Sequence, residues 1–377
     1  MYGNLFVNTI KKLKRIDWIL LSIPIIITIL GIMTIYSATR PVIDTFQPKF
    51  YLRQTVWLVL SLIMLLVVIS FDYNRILRFT YHIYAFGILF LLLTIVSGHT
   101  GMGAQRWISL GPISFQPSEI FRIILILVTA RFLATKGSPL RLSNLSMFFL
   151  LYGLIPFFLL YLQPDLGTAL VLLVIVTLQT IVRGVNRRVI LSGIIITLIV
   201  LPFLGNVLWH GLKGYQKNRL VAFIDPGVDP RGIGYQIEQS KITIGSGKIF
   251  GKGYLKGTQG PFRFLPEKHT DFIFSVFAEE WGFFGSIILL LLYMILIIRG
   301  LETAYYAKDL FGTLIATGIS IMFLLYLTIN IGMTMGLMPV VGIPLPFFSY
   351  GGTALLSNFI SVGLLINIRM RRFELFY

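Results

Sequence analysis

The residues best equipped for chemistry in this 377-residue chain are charged groups set in or beside long apolar runs. The stretch Phe262–Gly285 opens with Arg263, Glu267, Lys268, His269 and Asp271 close together, then passes directly into an apolar segment carrying Glu279 and Glu280. Carboxylates in so apolar a setting are costly unless they move protons, pair with cations or bind a ligand. Asp271 stands at the mouth of that segment, where it is either a reactive carboxylate or a helix N-cap in competition with Thr270. Glu279 and Glu280 lie about two turns deeper, at roughly 80° and 180° around the helix from Asp271. They cannot both share its cavity, so at least one is expected to pair with Arg122 or another buried donor.

Five further segments carry candidates. Gly103-Ala-Gln-Arg-Trp107 contains Arg106, and Gln116-Pro-Ser-Glu119 leads into a span with Arg122 one turn beyond Glu119. Pro117 suits a first helical turn and Glu119 the positive end of the helix dipole. A Glu119–Arg122 pair on one helix face can be purely structural, yet an arginine already a turn inside a span needs a protein partner. Asp165, in Gln163-Pro-Asp-Leu-Gly-Thr168, is a candidate N-cap with a structural or coupling role. Ser349 lies in Leu337–Thr353, whose prolines and glycines predict irregular backbone lining a protein or watery cavity. Finally, Gly245, Gly247, Gly251 and Gly253 alternate with Lys248 and Lys252. Glycines let backbone amides approach an anion and lysines add point charge, so Lys241, Lys248, Lys252 and Lys268 are candidate ligands for a polyanion. Solubility or contact with anionic headgroups explains the same lysines equally well.

The elements that must position these groups are membrane helices. The chain is 56% hydrophobic and 12% charged, with mean hydropathy +0.84. Its apolar runs of roughly 18–25 residues each match a ~30 Å hydrocarbon core. This predicts one all-α polytopic membrane domain over residues 1–377, because open sheet edges cannot face lipid. Ten spans are read: Trp18–Tyr36, Thr55–Ser70, Tyr81–Val96, Glu119–Leu133, Ser146–Leu162, Leu166–Val182, Val189–Leu204, Asp271–Ile298, Gly312–Thr334 and Phe347–Ile368.

The net charge of +17 is read as orientation, not as affinity for nucleic acid. Lys11, Lys12, Lys14 and Arg15, then Arg75 and Arg78, Arg131, Lys136 and Arg141, Arg183, Arg187 and Arg188, Arg299 and Lys308, and finally Arg369, Arg371 and Arg372 fall on alternate loops. Ten spans therefore place both termini in the cytoplasm. The loop 205–268 lies outside despite its ten basic residues, which its length permits. The basic N-terminal segment leads into a full-length span, not a cleavable signal peptide. Absence of cysteine excludes disulfides and thiolate metal sites, and His82, His99, His210 and His269 are too scattered for a histidine metal site.

Taken together, these motifs resemble the SEDS proteins (shape, elongation, division, sporulation). The segments named above, with Gln239-Ser-Lys-Ile-Thr-Ile-Gly-Ser-Gly247, Leu265–Phe274 and Pro339–Gly352, occur in family order from the first span to the last. Pro266-Glu-Lys-His, Ala278-Glu-Glu-Trp-Gly and Arg299-Gly-Leu make the chain more similar to the elongation branch than to the division branch. The resemblance implies ten transmembrane helices and peptidoglycan glycosyltransferase activity on lipid II, an undecaprenyl-pyrophosphate-linked disaccharide pentapeptide. It also implies a divalent cation (Mg2+ or Mn2+), no organic cofactor, a class B penicillin-binding protein as transpeptidase partner, and other elongation-complex membrane proteins. The active site would lie on the extracytoplasmic side of the bacterial cytoplasmic membrane. The family's essential aspartate falls on Asp271 and its important glutamate on Glu119. Arg122 replaces the lysine frequent in relatives, keeping the charge but losing a removable proton.

On this reading Asp271 takes the proton of an acceptor hydroxyl, while basic residues or the cation offset the pyrophosphate charge. Direct displacement inverts the anomeric centre. The substrate-binding expectation covers Arg106, Glu119, Arg122, Lys241, Lys248, Lys252, Lys268 and Ser349; Asp165, Glu279 and Glu280 are structural or coupling residues. The rivals are a flippase or ion-coupled carrier, whose polar lining should reach both sides of the membrane, and a non-enzymatic scaffold, which leaves the clustered charges without a role.

Overall fold

The computed structural model describes residues 16–40, 49–101, 104–110, 113–136, 142–186, 189, 191–193, 195, 205–206, 209–230, 232–258 and 268–372. Its helices are α1 (Trp18–Thr39), α2 (Phe50–Ser70), α3 (Tyr73–Ser97), α4 (Pro117–Thr135), α5 (Asn144–Leu162), α6 (Leu166–Gly184), α7 (Gly214–Ile224), α8 (Ile233–Ser246), α9 (Ile273–Tyr305), α10 (Leu310–Thr334) and α11 (Gly352–Met370). Eight of them are long and apolar enough to cross a membrane. α4 coincides with the expected fourth span but is lowered in hydropathy by its charges. The expected seventh span, Val189–Leu204, falls mostly outside the described residues, and Lys11, Lys12, Lys14, Arg15, Arg141, Arg187, Arg188, Arg231, Arg263 and Glu267 fall wholly outside them.

Local chemistry sets the helix starts. Asp17, Asp72, Asp165 and Asp309 each cap a helix by accepting a backbone N–H, with Asp309 2.7 Å from Gly312 N. Each bond satisfies one of the donors that a first turn leaves free. Pro117 occupies the first turn of α4, as its sequence position predicts. The loop before α4 departs from an all-helical reading: β1 (His99–Gly101), β2 (Ala104–Leu110) and β3 (Ile113–Phe115) form a small antiparallel meander.

Burial separates centre from rim. α10 and α11 have 72% and 78% of their central residues buried, against 17% and 22% for α2 and α3. The apolar outer faces of α2 and α3 therefore suit lipid, and α10 and α11 form the core on which the other spans pack. Gly363 of α11 lets α2 come close, a Cβ there lying 3.1 Å from Val68 Cγ1, and Gly31 of α1 does the same for the segment before α11, where a Cβ would sit 2.5 Å from the Phe348 carbonyl oxygen. Charges close one end of the bundle. Arg369 meets Asp17 at 2.7 Å and Glu302 at 3.3 Å, and the Tyr73 hydroxyl donates to Asp309 at 2.6 Å.

At the other end α9 corrects the expectation of one continuous span. It breaks at Gly282 (φ 66°, ψ −165°). A strap from the preceding loop, residues 247–253, satisfies the freed backbone. Phe283 N and Phe284 N donate to the Lys248 and Ile249 carbonyls at 2.9 and 3.0 Å, while Lys252 N and Gly253 N donate to the Glu279 and Glu280 carbonyls at 3.0 and 2.9 Å. Irregular backbone at this depth survives because these four released groups find protein partners. Gly247 and Gly251 are required by close approach, since a Cβ on either would lie 2.0 and 2.2 Å from the Ala278 and Glu280 carbonyl oxygens. These glycines pack backbone against backbone; the anion cradle expected from their spacing is not what they build.

Candidate active site

Asp271 is the last residue but one before α9, and its position is fixed through the backbone. Three consecutive carbonyls are held by side chains and backbone that follow α9. Tyr350 N donates to the His269 carbonyl at 3.0 Å, Ser349 Oγ to the Thr270 carbonyl at 2.7 Å, and Asn330 Nδ2 to the Asp271 carbonyl at 3.1 Å. Asn330 also donates to the Ile343 carbonyl at 2.8 Å. The irregular segment 335–351 is itself anchored: Gln54 donates to the Ser349 carbonyl at 3.2 Å and accepts from Gly351 N at 3.2 Å. Phe50 stacks on the His269 ring at 4.5 Å. One turn into α9, Ser275 shares a 2.7 Å hydrogen bond with Ser240 of α8, tying the large loop to the same corner.

The Asp271 carboxylate faces Gly342 and Arg219. A Cβ placed on Gly342 would lie 3.4 Å from Asp271 Oδ2 and 3.5 Å from Arg219 Nη1. Arg219, on α7, donates to the Val341 carbonyl at 3.2 Å. Burial pushes its guanidinium pKa down, and the negative charge of Asp271 opposes that shift. Beside it opens a cleft of about 100 Å³ lined by Arg106, Pro164, Gly167, Tyr215, Arg219 and Val341.

Charge continues from this cleft into the bundle. Arg106 donates to the Pro164 carbonyl and lies 3.5 Å from Asp165, while Tyr215 and Gln216 donate to the same carbonyl at 3.1 and 3.3 Å. Asp165 is near enough to Glu119 for the two carboxylates to repel. Glu119 meets Arg122 at 2.9 Å. The fully buried Arg122 also donates to Ser357 and Asn358 at 2.6 and 2.5 Å and lies over the Tyr326 ring at 4.6 Å. The expected Glu119–Arg122 pair thus forms, and Asp165 is both cap and ion-pair partner.

The remaining expected residues separate from this line. Glu279 accepts from Lys252 Nζ at 2.6 Å and from Thr258 N and Oγ1 at 2.9 and 2.8 Å. Glu280 accepts from Ser37 Oγ. Both glutamates face the loop around Gly257, because the helix break brings the strap over them. Their partners are Lys252 and Ser37, with Arg122 reserved for Glu119. Lys252 is therefore paired with a buried carboxylate rather than presented to the cleft beside Asp271. Lys248 is exposed and contributes its carbonyl to the α9 break; Lys241 is exposed, its ammonium lying against Gly336 of the irregular segment. Lys268 is half-buried three residues before Asp271. Ser349 acts on the Asp271 segment through Thr270.

Sequence reasoning missed two residues. Arg219 was one of ten basic residues in its loop, and nothing in its spacing distinguishes it. Asn330 carried a usable signal, since an amide in an apolar span must find hydrogen-bond partners. The divalent cation has a poorer fit: among the described residues no three His, Asp or Glu side chains converge. The described donor set does not form a cage for a resident ion, and Arg219 supplies fixed positive charge beside Asp271.

Comparison with known proteins places the chain in a family. The FtsW/RodA/SpoVE family model, described as cell cycle protein, matches residues 17–374. Peptidoglycan glycosyltransferase MrdB of Escherichia coli K12 is 42% identical over 291 residues, covering 77% of this chain and 78% of that protein. Peptidoglycan glycosyltransferase RodA of Treponema pallidum is 34% identical, covering 96% and 99%. Probable peptidoglycan glycosyltransferase FtsW of Trichlorobacter lovleyi is 36% identical, covering 95% and 94%. The crystal structure of Thermus thermophilus RodA superposes with a TM-score of 0.70 at 30% identity, covering 95% and 98%. A chain from a peptidoglycan synthase complex that coordinates polymerization and crosslinking superposes at 0.80 with 32% identity, covering 95% and 99%. The chain belongs to the FtsW/RodA/SpoVE family of cell cycle proteins.

Proposed function

We propose that this multi-pass membrane peptidoglycan glycosyltransferase, of the elongation type, uses Asp271 as its general base. The substrate is lipid II, and the reaction takes place at the extracytoplasmic end of the bundle, with both termini in the cytoplasm. The acceptor sugar hydroxyl attacks the anomeric carbon of the donor. Asp271 receives the hydroxyl proton as the new glycosidic bond forms, and the bond to undecaprenyl pyrophosphate breaks with its electron pair leaving on the phosphate oxygen. A positioned base of this kind contributes about 10²–10⁴-fold to rate. The pyrophosphate leaves already ionised, so it needs charge more than a proton. Arg219 and Arg106, which line the cleft beside Asp271, provide that charge.

The observation that carries this reading is the fixation of residues 269–271 by three separate hydrogen bonds, with the carboxylate left at Gly342 beside Arg219. A base held within tenths of an ångström of its task gains rate from orientation alone. The Glu119–Arg122 pair lies on the inner side of the same charged line and supports the cleft wall. A class B penicillin-binding protein is the partner that crosslinks the product, in keeping with the two-activity complex to which the chain is structurally similar. Polymerisation of purified lipid II by the purified protein with its transpeptidase partner, comparing wild type and Asp271→Asn, tests the proposal.

A further inference from the structure

We infer that Asn330 is a positioning residue for Asp271, acting by gripping the peptide that carries the carboxylate. Its side chain is fully buried near the end of α10, a setting where an amide is costly unless bonded. Both observed bonds are donations from Nδ2, to the carbonyls of Asp271 and Ile343, at 3.1 and 2.8 Å. Its Oδ1 has no hydrogen-bond partner. The amide orientation is nevertheless determined, because the flipped rotamer would set oxygen against two carbonyl oxygens.

One nitrogen thus joins two chain segments that the mechanism needs in register. Ile343 follows Gly342, whose Cα faces both Asp271 and Arg219. Asp271 lies 59 residues before Asn330 and Ile343 13 after it, so no local structure would hold them together. Asn330 closes that gap. Ser349 grips the neighbouring Thr270 carbonyl from the same irregular segment, which restrains the peptide on its other side. Removing the Asn330 donor leaves the Thr270 bond in place but frees the Asp271 peptide to rotate. The carboxylate then samples positions away from the acceptor hydroxyl, and a misplacement of about 1 Å can cost on the order of 100-fold in rate.

The inference rests on Asp271 being the base, and its test keeps the two claims apart. Asn330→Leu keeps the branched heavy-atom skeleton and removes the donor; Asn330→Ala removes donor and volume. Each is purified with the transpeptidase partner and assayed for lipid II polymerisation and for direct lipid II binding, beside Asp271→Asn. The expected result is a kcat lowered about 10- to 100-fold, with KM and lipid II binding within about twofold of wild type. Introducing Asn330→Leu into Asp271→Asn should then change residual turnover little, because the residue acts through the carboxylate already removed. Unchanged kcat in Asn330→Leu overturns the inference. So does a parallel loss of kcat and binding, or failure of both variants to accumulate folded, since either assigns Asn330 to general stability. Full activity in Asp271→Asn would instead remove the base reading, whatever Asn330 does.

Discussion

Arg219 and Asp271 meet across Gly342, with the guanidinium Nη1 and the carboxylate Oδ2 both within 3.5 Å of the position a Cβ would occupy there. Gly342 has φ +79°, a conformation glycine adopts freely and other residues do not. Through α7, the helical part of the large loop is thereby brought beside the segment before α9. Arg219 is held against the Val341 carbonyl as well, so its charge is delivered to a defined place. Arg219→Gln removes that charge. Charge-assisted hydrogen bonds contribute about 1.5–3 kcal/mol, so kcat/KM for lipid II should fall roughly 10- to 100-fold. Arg219→Lys should restore part of the loss, keeping charge but not the fork. Steady-state polymerisation kinetics on the two variants measure this directly.

Lys252 and Glu279 lead to the opposite expectation. Because Lys252 Nζ lies 2.6 Å from a fully buried carboxylate, its removal should act on stability and not on substrate use. Thr258 continues to donate twice to Glu279, which limits the damage to about 1–3 kcal/mol. Lys252→Met should therefore lower the melting temperature of the purified protein while leaving KM for lipid II within about twofold. A raised KM at unchanged melting temperature would return Lys252 to the substrate.

Much of this architecture is visible in the sequence. Hydropathy places the spans that fall among the described residues, Pro117 and Asp165 mark two helix starts, and the prolines and glycines of 337–353 announce irregular backbone. The break in α9 is less legible. Ala278–Gly285 reads as part of one continuous span, and Gly282 is one glycine among 35. Its role depends on the strap 247–253, whose backbone approaches only once the fold is complete. For the same reason the alternating Gly and Lys residues of that strap resemble an anion site in sequence while serving close packing in three dimensions. Asp271 stands out as a carboxylate at the mouth of an apolar span, and the family resemblance, not its spacing, favours a base over an N-cap there; Arg219 and Asn330 approach it from distant segments.

Gly282→Ala tests the break itself. A Cβ there would lie 2.3 Å from Gly251 N and 2.6 Å from the Ile249 carbonyl oxygen, backbone atoms that cannot turn aside. Adding the cost of a positive φ, about 1–3 kcal/mol, the variant should melt well below wild type. Limited proteolysis should cut it first within residues 247–253 as the strap detaches. Wild-type melting and proteolysis would contradict the interlocked break.

Within the bundle, Arg122→Met would strand Glu119 in a buried site. Breaking one side of such a pair costs about 3–5 kcal/mol, so the variant should be strongly destabilised. The double substitution Arg122→Met with Glu119→Leu removes both charges and should recover much of the melting temperature. Thermal unfolding of the single and double variants provides the comparison.

The central claim is that Asp271 removes the acceptor proton. Asp271→Asn keeps the shape and the backbone bonds to Asn330, Ser349 and Tyr350 while abolishing the base. Glycan strand formation from purified lipid II, followed on a gel with the transpeptidase partner present, is the most direct measurement. A loss of at least about 100-fold in polymer formation with lipid II binding retained is the predicted result; polymer at near wild-type rate would contradict it.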